Sequence, residues 1–193
     1  MVKKFLIGIA GAHSTGKTSF CDDIQLRLNK MGITVSRVPS FGRLAVECGI
    51  PILKEHTYSS TKWFIDKTIA AQEIEYNKES VVLVDRPIID AIAYWMAAVE
   101  YRKSPLIFNE YNELTKIILN KNHLYSHIFA TRINPLIPVD SNRDNDVVFR
   151  NRVEHHLHET LQKNNIVYTE LTHSNRQEMI SNLCSEIAIE VGL

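Results

Sequence analysis

Residues Gly11 to Thr18 read GAHSTGKT and fit the pattern G-x-x-x-x-G-K-[ST]. Successive backbone N–H groups in such a loop turn inward and make a nest for an anion. A helix that follows adds about half a positive charge at its N-terminus. Gly11 and Gly16 permit turns and a close approach that a Cβ would block. Lys17 can bring a point charge to the β- and γ-phosphates of a nucleotide, and Thr18 a hydroxyl to Mg²⁺. The stretch Gly11, Ala12, His13, Ser14, Thr15, Gly16, Lys17, Thr18 and Ser19 is therefore assigned to the phosphates of a nucleotide. His13 occupies a variable position and is read as packing or donating a hydrogen bond rather than catalysing.

A second set of residues could complete phosphate chemistry. VVLVDRP places Asp85 and Arg86 at the end of an apolar run. Asp85 can hold Mg²⁺ or its water together with Thr18, or accept the proton of an acceptor hydroxyl. Arg86 offers a planar fork to phosphate. The bland reading of the pair is a salt bridge at a strand end. Four of the ten arginines fall between 132 and 152: Arg132, Arg143, Arg150 and Arg152. Arg143 and Arg150 are assigned to the migrating phosphoryl group, because its transfer needs positive charge and exclusion of water. Arg132 is assigned to the nucleotide, and Arg152 to an ordinary charged helix start. Ser40, Arg43 and Gln72, with Asp85 and Arg86, are the acceptor-side candidates. Gln72 reads equally well as a buried structural hydrogen bond. Trp63 and Phe64 are read as core, although either could stack on a base. Asp90 is read as capping or orienting the helix after Arg86. His155 and His158 share a helix face, but no further ligand follows at suitable spacing, so no zinc is assigned.

These residues need elements to hold them. Lys3 to Ala10 is a short apolar run, as a buried strand requires. Ser19 to Lys30 repeats Phe20, Ile24 and Leu28 at four-residue spacing and stops at Gly32, which predicts a helix. Further strands are expected at Ile33–Val38, Ser80–Asp85, Tyr125–Thr131 and Ile166–Leu171. Helices are expected at 41–49, Ser59–Lys78, Pro87 to about Arg102, Ser104-Pro105 to about Lys121, and Val147–Lys163. Ser174 with Gln177 resembles a capping box for a last helix. Residues Ile50–Tyr58 and Arg132–Asn145 are expected as loops. Strand and helix alternate throughout, which implies a parallel five-stranded sheet with helices on both faces. In such α/β proteins ligands bind beyond the carboxyl ends of the strands, where the phosphate and acceptor candidates mostly fall.

The bulk properties narrow the choices. The 193 residues suffice for one domain, with an arginine-containing lid expected at about 132–146. The 22 basic and 22 acidic side chains cancel, which argues against a nucleic-acid surface or a polybasic membrane anchor. Cys21, Cys48 and Cys184 lack zinc spacing and read as reduced thiols of a cytoplasmic protein. The apolar stretch after the N-terminal lysines runs into the phosphate loop, so a signal peptide is not expected. Ile88–Val99 is interrupted by Asp90 and too short to span a bilayer. The helix around Trp95 and Met96 could be core or the face of a homodimer, with core favoured.

With these motifs in view, the chain resembles the P-loop nucleoside and nucleotide kinases. More closely, it resembles the AAA_28-type ATP-binding proteins, which include the ribosylnicotinamide kinase domain of bacterial NAD regulators. The likeness rests on GAHSTGKT, VPSFGR after the second strand, Gln72, VLVDRPIIDAIAY, and PVDSNR followed by FRNRVEHHL. It implies a P-loop NTPase three-layer α/β/α sandwich, Mg-ATP as donor and a small nucleoside-like acceptor: a nucleoside, nicotinamide riboside or a nucleoside monophosphate. Relatives commonly carry Glu where this chain has Ser40. Either Asp85 takes the proton, or the acceptor is already ionised, or catalysis is reduced. The rival expectation is an ATP-binding switch or slow ATPase that acts through a protein partner.

Overall fold

The computed structural model describes residues 3–137, 139 and 145–192. Five strands, β1 (Phe5–Ala10), β2 (Val35–Val38), β3 (Val81–Asp85), β4 (His127–Thr131) and β5 (Thr169–Leu171), form one parallel sheet in the order β2-β3-β1-β4-β5. Helices α1 (Lys17–Lys30), α2 (Gly42–Glu47), α3 (Tyr58–Lys78), α4 (Ile88–Tyr101), α5 (Phe108–Asn122), α6 (Val147–Lys163) and α7 (Arg176–Val191) connect and cover it. The expected five-stranded α/β architecture is thus present.

Alternation along β1 explains the layers. Phe5, Ile7 and Ile9 face one way and pack with Phe20, Ile24 and Leu28 of α1 and Ile180, Leu183 and Ile187 of α7. Ala10, with Ile128 and Ala130 of β4, faces the other layer, where α4, α5 and α6 contribute Ile92, Leu114 and Leu157. All five residues of β3 are buried, as a continuous apolar run between two helical layers demands. The apolar helix α4 lies within the chain's own core, with Trp95 buried and Met96 packed against the same cluster. Among the described residues no helix is long and apolar enough to cross a membrane.

Three local expectations differ from the structure. Ser104-Pro105 does not start a helix; α5 begins at Phe108. Instead Ser104 N–H donates to Val99 O at 3.0 Å and Lys103 N–H to Glu100 O at 3.0 Å, so this segment closes α4 in a Schellman-type turn. The capping box at Ser174 is also absent. Asn175 is the N-cap of α7 and makes no side-chain cap bond, because its Oδ1 accepts Thr172 N–H at 2.8 Å in the turn after β5. The box forms at α3 instead, where Thr57 Oγ1 accepts Ser60 N–H at 3.1 Å and Ser60 Oγ accepts Thr57 N–H at 2.8 Å. The expected loop at 50–58 carries a short 3-10 turn at Leu53–Glu55.

Candidate active site

The loop between β1 and α1 is shaped by close packing. Gly11 has φ 148°, and a Cβ there would lie 1.8 Å from Thr131 Oγ1, so no side chain fits. Ser14 and Gly16 adopt φ 55° and 81°, left-handed positions that turn N–H groups into the loop. Gly16 makes no side-chain cap, leaving the first N–H groups of α1 facing the same space. Thr15 Oγ1 bonds Ala12 O at 2.9 Å and Thr131 Oγ1 at 2.7 Å, which ties the loop to the end of β4. Lys17 is buried and folds back so that Nζ donates to Ala12 O and, at 3.3 Å, to Thr15 Oγ1. Ser14 Oγ is buried without a hydrogen-bond partner among the described residues, a polar atom suited to a ligand oxygen. Ser19 is exposed on the first turn of α1.

Asp85, at the end of β3, accepts the Thr18 hydroxyl at 2.7 Å. Arg37, from β2, lies 3.7 Å from the same carboxylate oxygen, donates to Thr18 O at 3.2 Å and pairs with Asp22. Arg86 follows with φ 76°, a conformation costing about 1–3 kcal/mol for a residue with a Cβ. Several contacts hold it there. Its N–H donates to Ile9 O at 3.1 Å, its guanidinium reaches Gly11 O and Asp90 at 3.3 Å each, and the Tyr94 ring lies 4.9 Å beneath. Asp90 also accepts Gly11 N–H at 2.9 Å, so one buried carboxylate fixes both the phosphate loop and Arg86. Burial pushes Asp90 up to about 6, against the pull of Arg86, Lys17 and the Gly11 N–H.

Arg150 approaches from α6. Its Nε donates to His13 O at 3.1 Å and its second nitrogen to Ser14 O at 2.9 Å. Burial lowers its pKa from the usual guanidinium value. Asp146 caps that helix by accepting Phe149 N–H at 2.9 Å and Tyr101 Oη–H at 2.8 Å. Arg132 pairs with Glu170 at 2.8 Å beside β5 and makes no contact with the phosphate loop among the described interactions. Arg152 pairs with Glu100 at 3.2 Å, as an ordinary surface residue does. Arg143 lies outside the described residues. His156 bonds Glu100 at 2.7 Å, and no cluster of three potential metal ligands of the His, Cys, Asp or Glu types exists among the described residues.

A cavity of about 860 Å³ opens beside the loop. His13 and Arg86 border it on the phosphate side, Ser40 and Arg43 come from the segment after β2, and Phe64 and Tyr94 supply aromatic walls. Ser40 and Arg43 thus share a cavity wall with His13 and Arg86. Gln72 does not border the cavity; it donates to the buried Tyr125 hydroxyl, the structural alternative. Phe64, one of the two aromatics read as core, faces the cavity.

Four residues of this region escaped sequence reasoning as site components: Arg37, Asp90 in its double role, His56 and Arg176. Arg176 donates to Gly16 O at 3.3 Å and pairs with Asp23 at 2.6 Å. Arg37 offered the signal of a cation within a strand, and Arg176 that of a cation opening the last helix. Asp90 announced itself only as one charge inside an apolar helix.

The family model for an AAA domain, AAA_28, matches residues 6–178. No curated protein matches the chain. Among solved structures, a NadR protein in complex with NR is similar over 98% of this chain, with a TM-score of 0.64 and 15% identity. The present chain spans about half of that one, 51%. Deoxyadenosine kinase from M. mycoides with bound dATP is similar over 94% of this chain and 99% of its own, with a TM-score of 0.64 and 13% identity. Thymidylate kinase from Ehrlichia chaffeensis is similar over the same shares, with a TM-score of 0.59 and 17% identity. At these identities the likeness establishes the fold, that of P-loop nucleoside and nucleotide kinases. The family match covers most of the chain and the phosphate loop lies inside it, so the protein belongs to the AAA_28 family of AAA domains.

Proposed function

We propose that the protein is a phosphotransferase that moves the γ-phosphoryl group of ATP to a small nucleoside-like acceptor. The observation that carries this reading is the shared border of loop and cavity. His13 belongs to the loop and lines the cavity, and Arg86 touches Gly11 O while lining the same space. Donor and acceptor would thus meet at the carboxyl edge of the sheet. The NadR, deoxyadenosine kinase and thymidylate kinase likenesses support the same class.

In this reading Ser14, Gly16 and the start of α1 cradle the phosphates. Lys17 leaves Ala12 O to reach them. Arg86 and Arg150 face the transferring group, with Arg143 and a lid at about 132–146 retained on sequence grounds. Arg132 is retained toward the nucleotide on the same grounds. Thr18 and Asp85 present adjacent hard oxygens, a donor set that fits Mg²⁺ completed by phosphates and water. Bound there, Mg²⁺ would neutralise charge on the phosphates. The acceptor lies against Ser40 and Arg43. Asp85 is engaged by Thr18 and Arg37, and no carboxylate replaces Ser40. A loose transition state makes a strong base less necessary.

ADP release from Mg-ATP, alone and with nucleosides, nicotinamide riboside and nucleoside monophosphates, tests the assignment. Stimulation of at least about tenfold by one acceptor class is expected for a committed kinase site. Slow hydrolysis indifferent to every compound would sink it and favour a switch working through a protein partner.

A further inference from the structure

His56 is a buried, uncommitted group in the acceptor cavity. It is 3% exposed, lines the cavity, and its Nε2 has no hydrogen-bond partner among the described residues. The backbone that carries it is fixed from several sides. His56 N–H donates to Leu53 O at 3.0 Å, and Arg102 at the end of α4 donates to His56 O at 2.9 Å and to Lys54 O. The next residue, Thr57, is locked in the capping box of α3. The ring centroid lies 5.3 Å from Phe64 and 6.4 Å from Tyr94. Burial, assisted by Arg102 and Arg86, holds the imidazole pKa at about 3. Near neutral pH the ring therefore carries one donor and one acceptor nitrogen and no charge.

A buried polar atom ordinarily has a partner. Here the rings of Phe64 and Tyr94 flank the histidine, and all three residues line the cavity. Apolar residues Ile52 and Leu53 adjoin it, whereas Arg43 and Arg86 mark the charged part of the wall. Tyr94 lies 6.5 Å from the ring of His13 on the phosphate loop, so His56 is one aromatic side chain removed from that loop.

We propose that His56 determines acceptor specificity, its Nε2 hydrogen-bonding the polar edge of a planar nitrogen heterocycle held against Phe64 and Tyr94. This rests on the nucleoside-like acceptor argued above and adds the residue that reads the ring. An uncharged imidazole beside aromatic faces suits a base with amino, amide or ring-nitrogen groups, and suits a free sugar or an aliphatic alcohol poorly.

The test uses the full chain labelled with ¹⁵N-histidine, with His56 assigned by comparison with His56→Phe. Nucleosides, their monophosphates and nicotinamide riboside are titrated while the imidazole nitrogens are observed, and ADP release is measured with the same panel. At least one compound should move the His56 Nε2 resonance as it saturates. His56→Phe should bind that compound at least about tenfold more weakly, with ATP affinity unchanged, and His56→Gln should recover part of the loss. A panel with no binder, an unmoved resonance at saturation, or full affinity in His56→Phe overturns the proposal. ADP release stimulated equally in wild type and His56→Phe would leave the kinase reading standing and remove His56 from it. Binding through His56 without faster ADP release would do the reverse.

Discussion

Lys17 is bent onto its own loop, donating to Ala12 O and Thr15 Oγ1, so the loop satisfies its own cation. A phosphate oxygen would displace those weaker acceptors, because a charged partner forms the stronger bond. Lys17→Ala should therefore lower single-turnover phosphoryl transfer by about 10²–10³-fold or more while leaving the fold intact. An unchanged transfer rate would remove Lys17 from the mechanism. Asp90 has the opposite character, acting on the loop without reaching the substrate. Asp90→Asn keeps an acceptor for Gly11 N–H and deprives Arg86 of its counter-charge. Burial raises the Asp90 carboxyl to about 6 in spite of Arg86, so removing its charge also relieves a desolvated carboxylate, and urea unfolding at pH 7.5 should find Asp90→Asn at least as stable as wild type. A clear loss of stability would mean that the ion pair with Arg86 outweighs the burial of the Asp90 charge.

At the scale of elements, the strands were legible because burial on both faces demands continuous apolar runs, as at Val81–Asp85. Helix α6 was legible over its full length, Val147–Lys163, but its Asp146 cap was not. The start of α5 was not, because Ser104 serves α4 through a bond to Val99 O that no local pattern announces. The phosphate loop was legible because its chemistry is local. Asp90 and Gly11 are separated by 79 positions, and Arg150 and His13 by 137, so their pairing exists only once the sheet is assembled. The cap of α6 has a functional reading of its own, since Asp146 sets the helix that aims Arg150 at the loop. Asp146→Ala should destabilise the chain by about 1 kcal/mol. It should also lower transfer, and the double variant with Arg150→Ala should be no slower than Arg150→Ala alone. Additive rate losses would show that the cap acts by another route.

On the scale of the whole molecule, the sheet order brings the ends of β1, β3 and β4 together and leaves α3 and α4 to wall the cavity beside them. Burying His56 in that wall couples the acceptor region to global stability through pH. The folded imidazole titrates near 3 and the unfolded one near 6.5. Below about pH 6.5 the unfolded chain binds a proton that the folded chain refuses, so stability falls on acidification until the folded ring itself protonates near 3. His158, also lowered chiefly by burial, acts with the same sign. Asp90, raised to about 6, acts against both, because acidification through that value relieves a buried charge. The wild-type profile therefore mixes opposing contributions, and a difference between variants isolates one of them. His56→Gln removes only the first. Above pH 7 the variant differs from wild type by a constant packing cost, and below 6.5 wild type should lose its advantage by up to about 1.4 kcal/mol per pH unit. Urea unfolding of both chains at pH 7.5, 6 and 5 measures that narrowing. Parallel profiles would mean that His56 accepts a proton in the folded state, and a charged imidazole there would recognise an anion instead of a neutral ring.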